Sequence, residues 1–217
     1  MSHPSLSPRR SLAALTLLIA AWLTACSNVA ASAPSGESTV LSIVGYAVPA
    51  EANARIAEAW QQTPDGQDVT FETSYGASGD QSRNVLNGQP ADYVHFSVES
   101  DVTRLVDGGL VSPDWKSGPN KGVVSTSVVV LAVRPGNPLG IKGWDDLIKP
   151  GVEIVTPNPA SSGAARWNIL AAWAHIAANG GSDAEATDFM KKLLSNAVAL
   201  PGSGRDATTA FTSGTGD

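Results

Sequence analysis

Three loops of this chain are built from small residues and run directly into helix-forming sequence, a combination suited to holding an anion on the peptide backbone. They are Ser74-Tyr-Gly-Ala-Ser-Gly-Asp-Gln-Ser-Arg-Asn-Val-Leu86, Thr156-Pro-Asn-Pro-Ala-Ser-Ser-Gly-Ala-Ala-Arg-Trp-Asn168 and Gly202-Ser-Gly-Arg-Asp-Ala-Thr-Thr-Ala-Phe211. The first turn of a helix carries N–H groups with no partner inside the helix, and the helix dipole adds partial positive charge at that end. Glycine and alanine keep bulk away from the mouth, so a ligand can reach those donors. The chemistry implied is capture of one anion by backbone amides, with no cationic side chain required.

Each loop also has a purely structural reading. Ser78-Gly-Asp-Gln81 fits a capping box, in which the serine hydroxyl covers an N–H of the first turn and the glutamine reaches back. Ser161-Ser162-Gly163-Ala164 reads as an N-cap followed by a core helix, with Trp167, Ile169, Leu170 and Trp173 at helical spacing as packing residues. Ser203-Gly204-Arg205-Asp206 is the third mouth. With Gly202 and Ala207 it satisfies the loose dinucleotide pattern Gly-x-Gly-x-x-Ala, but no acidic residue follows at the distance that fingerprint needs. The glycine-flanked approach Gly76-Ala77-Ser78-Gly79 is what favours a ligand over a simple cap.

Residue sets for covalent or metal chemistry are missing. The chain has neither a Gly-x-Ser-x-Gly elbow nor a Walker A loop. Beyond residue 25 only His95 and His175 remain, too few for a His-rich metal site, and both read as structural. Asp145 and Asp146 are adjacent, face different directions on a helix, and read as first-turn charges. The rival from another class is an extracytoplasmic hydrolase with Ser78 as nucleophile. It needs a base within hydrogen-bond reach, and the sequence places neither histidine to serve.

The elements that must position the three mouths alternate in βαβα order. Strand-like Leu41–Val44, Val69–Ser74 and Ala91–Phe96 alternate with helix-like Ala50–Gln61, Gly79–Leu86 and Val102–Asp107, which predicts a parallel sheet flanked by helices. Thr126–Val133 is a continuous apolar run and predicts a strand buried on both faces, ended by Arg134-Pro-Gly-Asn-Pro138. The pattern then restarts with a short helix around Trp144–Leu147, strand Glu153–Thr156, helices Gly163–Ala178 and Ala184–Asn196, and strand Ala197–Leu200. The expected lobes are residues 40–120 and 121–217. A further strand is expected after the last helix, so the second lobe reads as incomplete at Asp217.

The N-terminus predicts secretion. Arg9 and Arg10 precede an apolar run, Leu12–Leu23, too short to span a membrane comfortably, and residues 1–25 read as a signal peptide. Leu23-Thr-Ala-Cys26 resembles the lipobox of bacterial lipoproteins, which implies cleavage before Cys26 and a lipid on its sulfur. Cys26 is the only cysteine, so no internal disulfide is possible. Residues 26–39, rich in Ser, Ala, Pro and Gly, read as a lipid-anchored flexible spacer. The chain has 14 basic and 20 acidic residues; two of the basic ones lie in the signal, so the mature chain has a net charge of −8. That balance argues against nucleic acid and requires that any anion be captured by local donors against the global field.

Four runs carry a family resemblance: Ser74-Tyr-Gly-Ala-Ser-Gly-Asp-Gln-Ser82, Val133-Arg-Pro-Gly-Asn-Pro138, Trp144-Asp-Asp-Leu-Ile-Lys-Pro-Gly-Val152, and Thr156-Pro-Asn-Pro159 with Ser161-Ser-Gly-Ala-Ala-Arg-Trp-Asn168. Together they closely resemble the sulfate/thiosulfate-binding proteins of bacterial ABC importers, over about Leu41 to Asp217. The resemblance implies an α/β, two-lobed, hinged periplasmic-binding-protein-like fold of type II. It also implies a monomeric receptor, without cofactor or catalysis, that closes on sulfate or thiosulfate and delivers it to a membrane permease. In that family the anion is held by backbone amides, a serine hydroxyl and an indole. Carried onto this chain, the serine is Ser78, the paired amides are Gly163 and Ala164, the third-loop amide is Gly204, and a further amide is Ala47. The indole would fall beyond Asp217.

This chain departs from the family pattern at several positions. Asp80 stands where a lysine is common, Ala47 where an aspartate is usual, Ala164 for a glycine, and Asp206 for a glycine. A carboxylate turned toward the ligand would accept a proton and favour a protonated oxyanion, which leaves sulfate against thiosulfate or phosphate open. The alternative reading is a receptor for another tetrahedral oxyanion, molybdate or phosphate. Ferric iron is disfavoured because Tyr46, Tyr75 and Tyr93 do not form the adjacent phenolate pair of such sites.

Overall fold

The computed structural model describes residues 38–217. The signal, lipobox and most of the spacer expectations fall on residues 1–37 and lie outside the described residues. Two parallel sheets carry the chain. The first is formed by β1 (Thr39–Tyr46), β2 (Val69–Gly76) and β3 (Tyr93–His95) in the order β2-β1-β3. Parallel neighbours need a crossover, and α1 (Ala50–Gln61) and α2 (Ser78–Leu86) supply it; α3 (Glu99–Asp107) follows β3. The second sheet pairs β4 (Ile154–Val155) with β5 (Ala197–Ala199), joined through α4 (Gly163–Ala178) and α5 (Asp183–Ser195). The last helix is α6 (Gly204–Thr212), and a short 3-10 turn occupies Trp144–Asp146.

Each sheet is associated with its own apolar cluster. Val44, Val85 and Leu105 are buried together under the first sheet, with Val94, Phe96 and Val111 packed around them. Ile141, Leu147, Val152, Ala172, Phe189, Met190 and Leu193 form the second, larger cluster. Burial at this level, on the order of 1.5–3 kcal/mol per large side chain, is what holds the helices over the sheets and so fixes their N-termini. Parallel strands aim every helix that follows a strand the same way, which places the mouths at the strand C-terminal ends.

Two expectations fail. Thr126–Val133 is not a strand: no strand pairs with it among the described residues, and Val128 and Val130 are 79% and 73% exposed. Only alternate residues, Leu131 and Val133, pack on the second cluster. An apolar run becomes a buried strand only when the sheet offers neighbours on both sides, and here the second sheet has two strands, neither of them hydrogen-bonded to the run. On α4, Ile169 and Trp173 do pack on the core, but Trp167 and Leu170 are about half exposed, at 49% and 56%. Among the described residues no helix is long and apolar enough to cross a membrane.

Candidate functional site

The three small-residue mouths converge. The amide of Gly79, in the first turn of α2, donates to the carbonyl of Ser161 at 2.8 Å. Ser161 Oγ in turn donates to the carbonyl of Gly202 at 2.7 Å, which links the second mouth to the third. A methyl built on Gly204 would lie 3.3 Å from Ala164 Cβ and 3.5 Å from Val48 Cγ2. The loop after β1 is tied in by Arg205, whose Nη2 donates to the carbonyl of Val48 at 3.0 Å. Four loops from both sheets therefore meet at one place.

The donors at this junction divide into committed and free. The amides of Ser78, Gly163, Ala164 and Gly204 open helices α2, α4 and α6 and make no hydrogen bond among the described residues. These are the orphan first-turn groups that a ligand can use. Ala47 is different. Its amide donates to the carbonyl of Gly76 at 2.8 Å, so the sequence-based assignment of that donor is corrected. The next amide, Val48, makes no hydrogen bond among the described residues, and Pro49 after it has no N–H to offer.

Ser78 is placed at the junction, but its hydroxyl is occupied. Ser78 is buried, and its Oγ donates to Asp101 Oδ2 at 2.7 Å while accepting from the Ser97 amide at 3.1 Å. A hydroxyl has one proton, and an ionised carboxylate accepts only, so this proton points at Asp101 and away from the mouth. The capping box expected between Ser78 and Gln81 is absent, because Ala77 is the N-cap and Gln81 Oε1 accepts instead from Ser74 Oγ at 3.3 Å. Ser162, the N-cap of α4, is buried and its hydroxyl forms no cap bond. An uncommitted serine hydroxyl at the entrance of α4 is thus that of Ser162.

Asp101 anchors the layer beneath. Its side chain is fully buried, and Oδ1 accepts from Arg104 Nη1 at 3.1 Å and from Arg166 Nη1 at 2.9 Å. A buried carboxylate persists only when paired and hydrogen-bonded, and this one has two guanidiniums and a hydroxyl. Arg166 belongs to α4 and Asp101 to α3, so the pair also ties the two sheets' helices together. The helix expected from sequence begins at Val102, whereas α3 starts at Glu99 and so includes Asp101, whose spacing of three from Arg104 places both on one helix face.

The two carboxylates that would admit a protonated ligand turn elsewhere. Asp80 pairs with Arg83, and Asp206 Oδ2 accepts from Ser203 Oγ at 2.8 Å in a cap. The junction presents amides and hydroxyls, with its nearby arginines already engaged on Asp101, Asp80 and the Val48 carbonyl.

Three tyrosines from separate strands gather beside the junction around buried His95. Tyr46 meets the imidazole edge-on at 5.3 Å between ring centroids, Tyr93 lies at 6.1 Å, and Asn53 donates to Tyr75 Oη at 3.0 Å. Burial raises the Tyr46 hydroxyl above its ordinary range, and burial together with Tyr75 does the same for Tyr93. His175 bonds Asp145 Oδ1 at 3.0 Å, far along the chain from the mouths. Neither histidine is hydrogen-bonded to Ser78.

A parallel α/β scaffold whose helix N-termini converge on an amide-lined mouth defines a solute-binding protein of the type II class. The chain belongs to the family of bacterial extracellular solute-binding proteins, whose family model matches residues 41–217. It is 41% identical to the sulfate-binding protein of Synechococcus elongatus over 212 residues, covering 94% of this chain and 60% of that protein. It is 40% identical to the thiosulfate-binding protein of Pseudomonas aeruginosa over 163 residues, covering 74% of this chain and 49% of that one. The structure of the sulfate-binding protein SubI from Mycobacterium tuberculosis superposes with a TM-score of 0.79 at 46% identity, over 82% of this chain and 63% of SubI. The chain therefore spans between about half and three fifths of the length of these relatives. The family is one of extracytoplasmic solute-binding proteins rather than enzymes.

Proposed function

We propose that this chain captures a tetrahedral sulfur oxyanion, sulfate or thiosulfate, outside the cytoplasm and presents it to the permease of an ABC importer. The observation that carries the reading is the convergence of three helix N-termini whose first amides are free. The names of the relatives, sulfate-binding and thiosulfate-binding, supply the anion. The donors assigned are the amides of Ser78, Gly163, Ala164, Gly204 and Val48 with the Ser162 hydroxyl. Residues 40–120 and 121–217 are read as the two lobes, and the receptor as a monomer. Lipid attachment at Cys26 would hold it at the membrane.

Calorimetric titration of the mature chain with sulfate, thiosulfate, molybdate and phosphate tests the central claim. Saturable heat with the sulfur oxyanions supports it, and silence with all four anions sinks it. The tether is checked by fractionation: Cys26→Ser should leave the membrane fraction or go unprocessed, and unchanged behaviour rules the anchor out. A serine hydrolase is the weaker reading, because Ser78 Oγ is buried between Asp101 and the Ser97 amide and has no imidazole beside it.

A further inference from the structure

We infer that Ser97 is a ligand-contacting residue at this site, an inference that rests on the anion-binding reading above. Ser97 lies just past β3, where the chain turns into α3. Its main chain is fixed on both sides: the amide donates to Ser78 Oγ at 3.1 Å, and the carbonyl accepts from Trp167 Nε1 at 2.7 Å. Its Oγ is buried and has no hydrogen-bond partner among the described residues. This hydroxyl sits against the first residue of α4, so closely that a methyl on Gly163 would overlap it, with Val98 Cγ2 3.3 Å from the same point. The orphan hydroxyl is therefore wedged between the mouths of α2 and α4, beside two amides that are themselves free.

A buried hydroxyl without a partner is unfavourable, and native interiors rarely tolerate one unless a water or ligand completes it. An oxyanion bound at the Gly163 and Ala164 amides brings an acceptor oxygen to this neighbourhood. The Ser97 backbone is pinned by its bonds to Ser78 and Trp167, so a turn of its side chain is the movement that would direct the proton at that oxygen. Ser97 then completes a shell that amides begin. The bond is charge-assisted, because the acceptor carries formal negative charge.

The test is titration of wild type and Ser97→Ala with sulfate, thiosulfate and phosphate, together with the thermal midpoint of each protein without ligand. Loss of a hydrogen bond to a charged acceptor should weaken sulfate binding about 10- to 100-fold. The ligand-free midpoint should stay level or rise, since the variant removes an unsatisfied buried group. Ser97→Thr, which keeps the hydroxyl, should retain more of the affinity than alanine. Wild-type affinity in Ser97→Ala, or a fall in the ligand-free midpoint beside unchanged affinity, would overturn the assignment and leave the anion site standing. Absence of anion binding by the wild type would instead remove the reading on which it rests.

Discussion

At the scale of single residues, the two serines at the mouths have been assigned different work by their surroundings. Ser78 serves the layer under the site. Its Oγ satisfies one oxygen of buried Asp101 and takes the Ser97 amide, so Ser78→Ala leaves both groups short. That variant should lose about 1–3 kcal/mol of stability, measured by chemical denaturation, with affinity falling only as the mouth loosens. Ser162→Ala removes a hydroxyl with no cap bond to lose and should leave stability nearly unchanged. Its affinity for the anion should drop about tenfold or more by calorimetry. The reverse pattern would restore Ser78 as the donor. His95 offers a separate test, because burial holds its pKa below the ordinary 6.5. A base with a depressed folded-state pKa binds fewer protons folded than unfolded, so stability is lost as pH falls below the ordinary histidine range. The thermal midpoint should fall between about pH 7 and pH 5, and His95→Gln, against Asn53, Tyr46 and Tyr93, should flatten that slope.

At the scale of elements, Gly163 shows how tightly the mouths are packed. A methyl there would overlap Ser97 Oγ and press on Val98. Gly163→Ala should cost about 1–3 kcal/mol of stability and most of the anion affinity, and adding Ser97→Ala should recover part of the stability. If the double variant is as unstable as the sum of its parts, the two residues do not meet. The helices that form these mouths were legible in sequence. Pro49 and the Ser162-Gly163 step mark starts that fix Ala50–Gln61 and Gly163–Ala178 to the residue. Helical spacing and N-terminal chemistry are local, and local signals survive in a sequence. The Thr126–Val133 run was misread because burial of a strand depends on neighbours that a single run does not encode. The same holds for the His95 cluster, whose tyrosines come from three strands and meet only through the parallel register, with Gly45 opposite both Tyr75 and His95. Which amide of a mouth is free is also a tertiary fact. Ala47 looks equivalent to Val48 until its amide is seen to donate to the Gly76 carbonyl.

At the scale of the molecule, a net charge of −6 over the whole chain, or −8 without residues 1–25, repels the anion the site is built to hold. Affinity must then come from short-range donors, and the junction supplies them without an acidic side chain facing in. Asp80 is held by Arg83, Asp206 by Ser203, and Asp101 lies a layer below with Arg104 and Arg166. Sulfate at neutral pH offers acceptor oxygens only, and amides with a serine hydroxyl satisfy them all. Phosphate near neutrality keeps at least one proton, which needs an acceptor. A serine oxygen can take it only by turning its own proton away, and that proton then lacks a partner in turn. The unpaired donor costs about 1–3 kcal/mol or more, so phosphate should bind at least tenfold more weakly than sulfate at neutral pH. Sulfate gains no proton between about pH 5 and pH 8, and the donors assigned at the mouth are amides and a serine hydroxyl, so the affinity of the folded protein should vary little across that range. Equal affinity for the two anions would mean that a carboxylate, Asp80 or Asp206, swings in to accept the phosphate proton. Asp80→Asn and Asp206→Asn would then identify which one, since removing the responsible acceptor should restore the preference for sulfate.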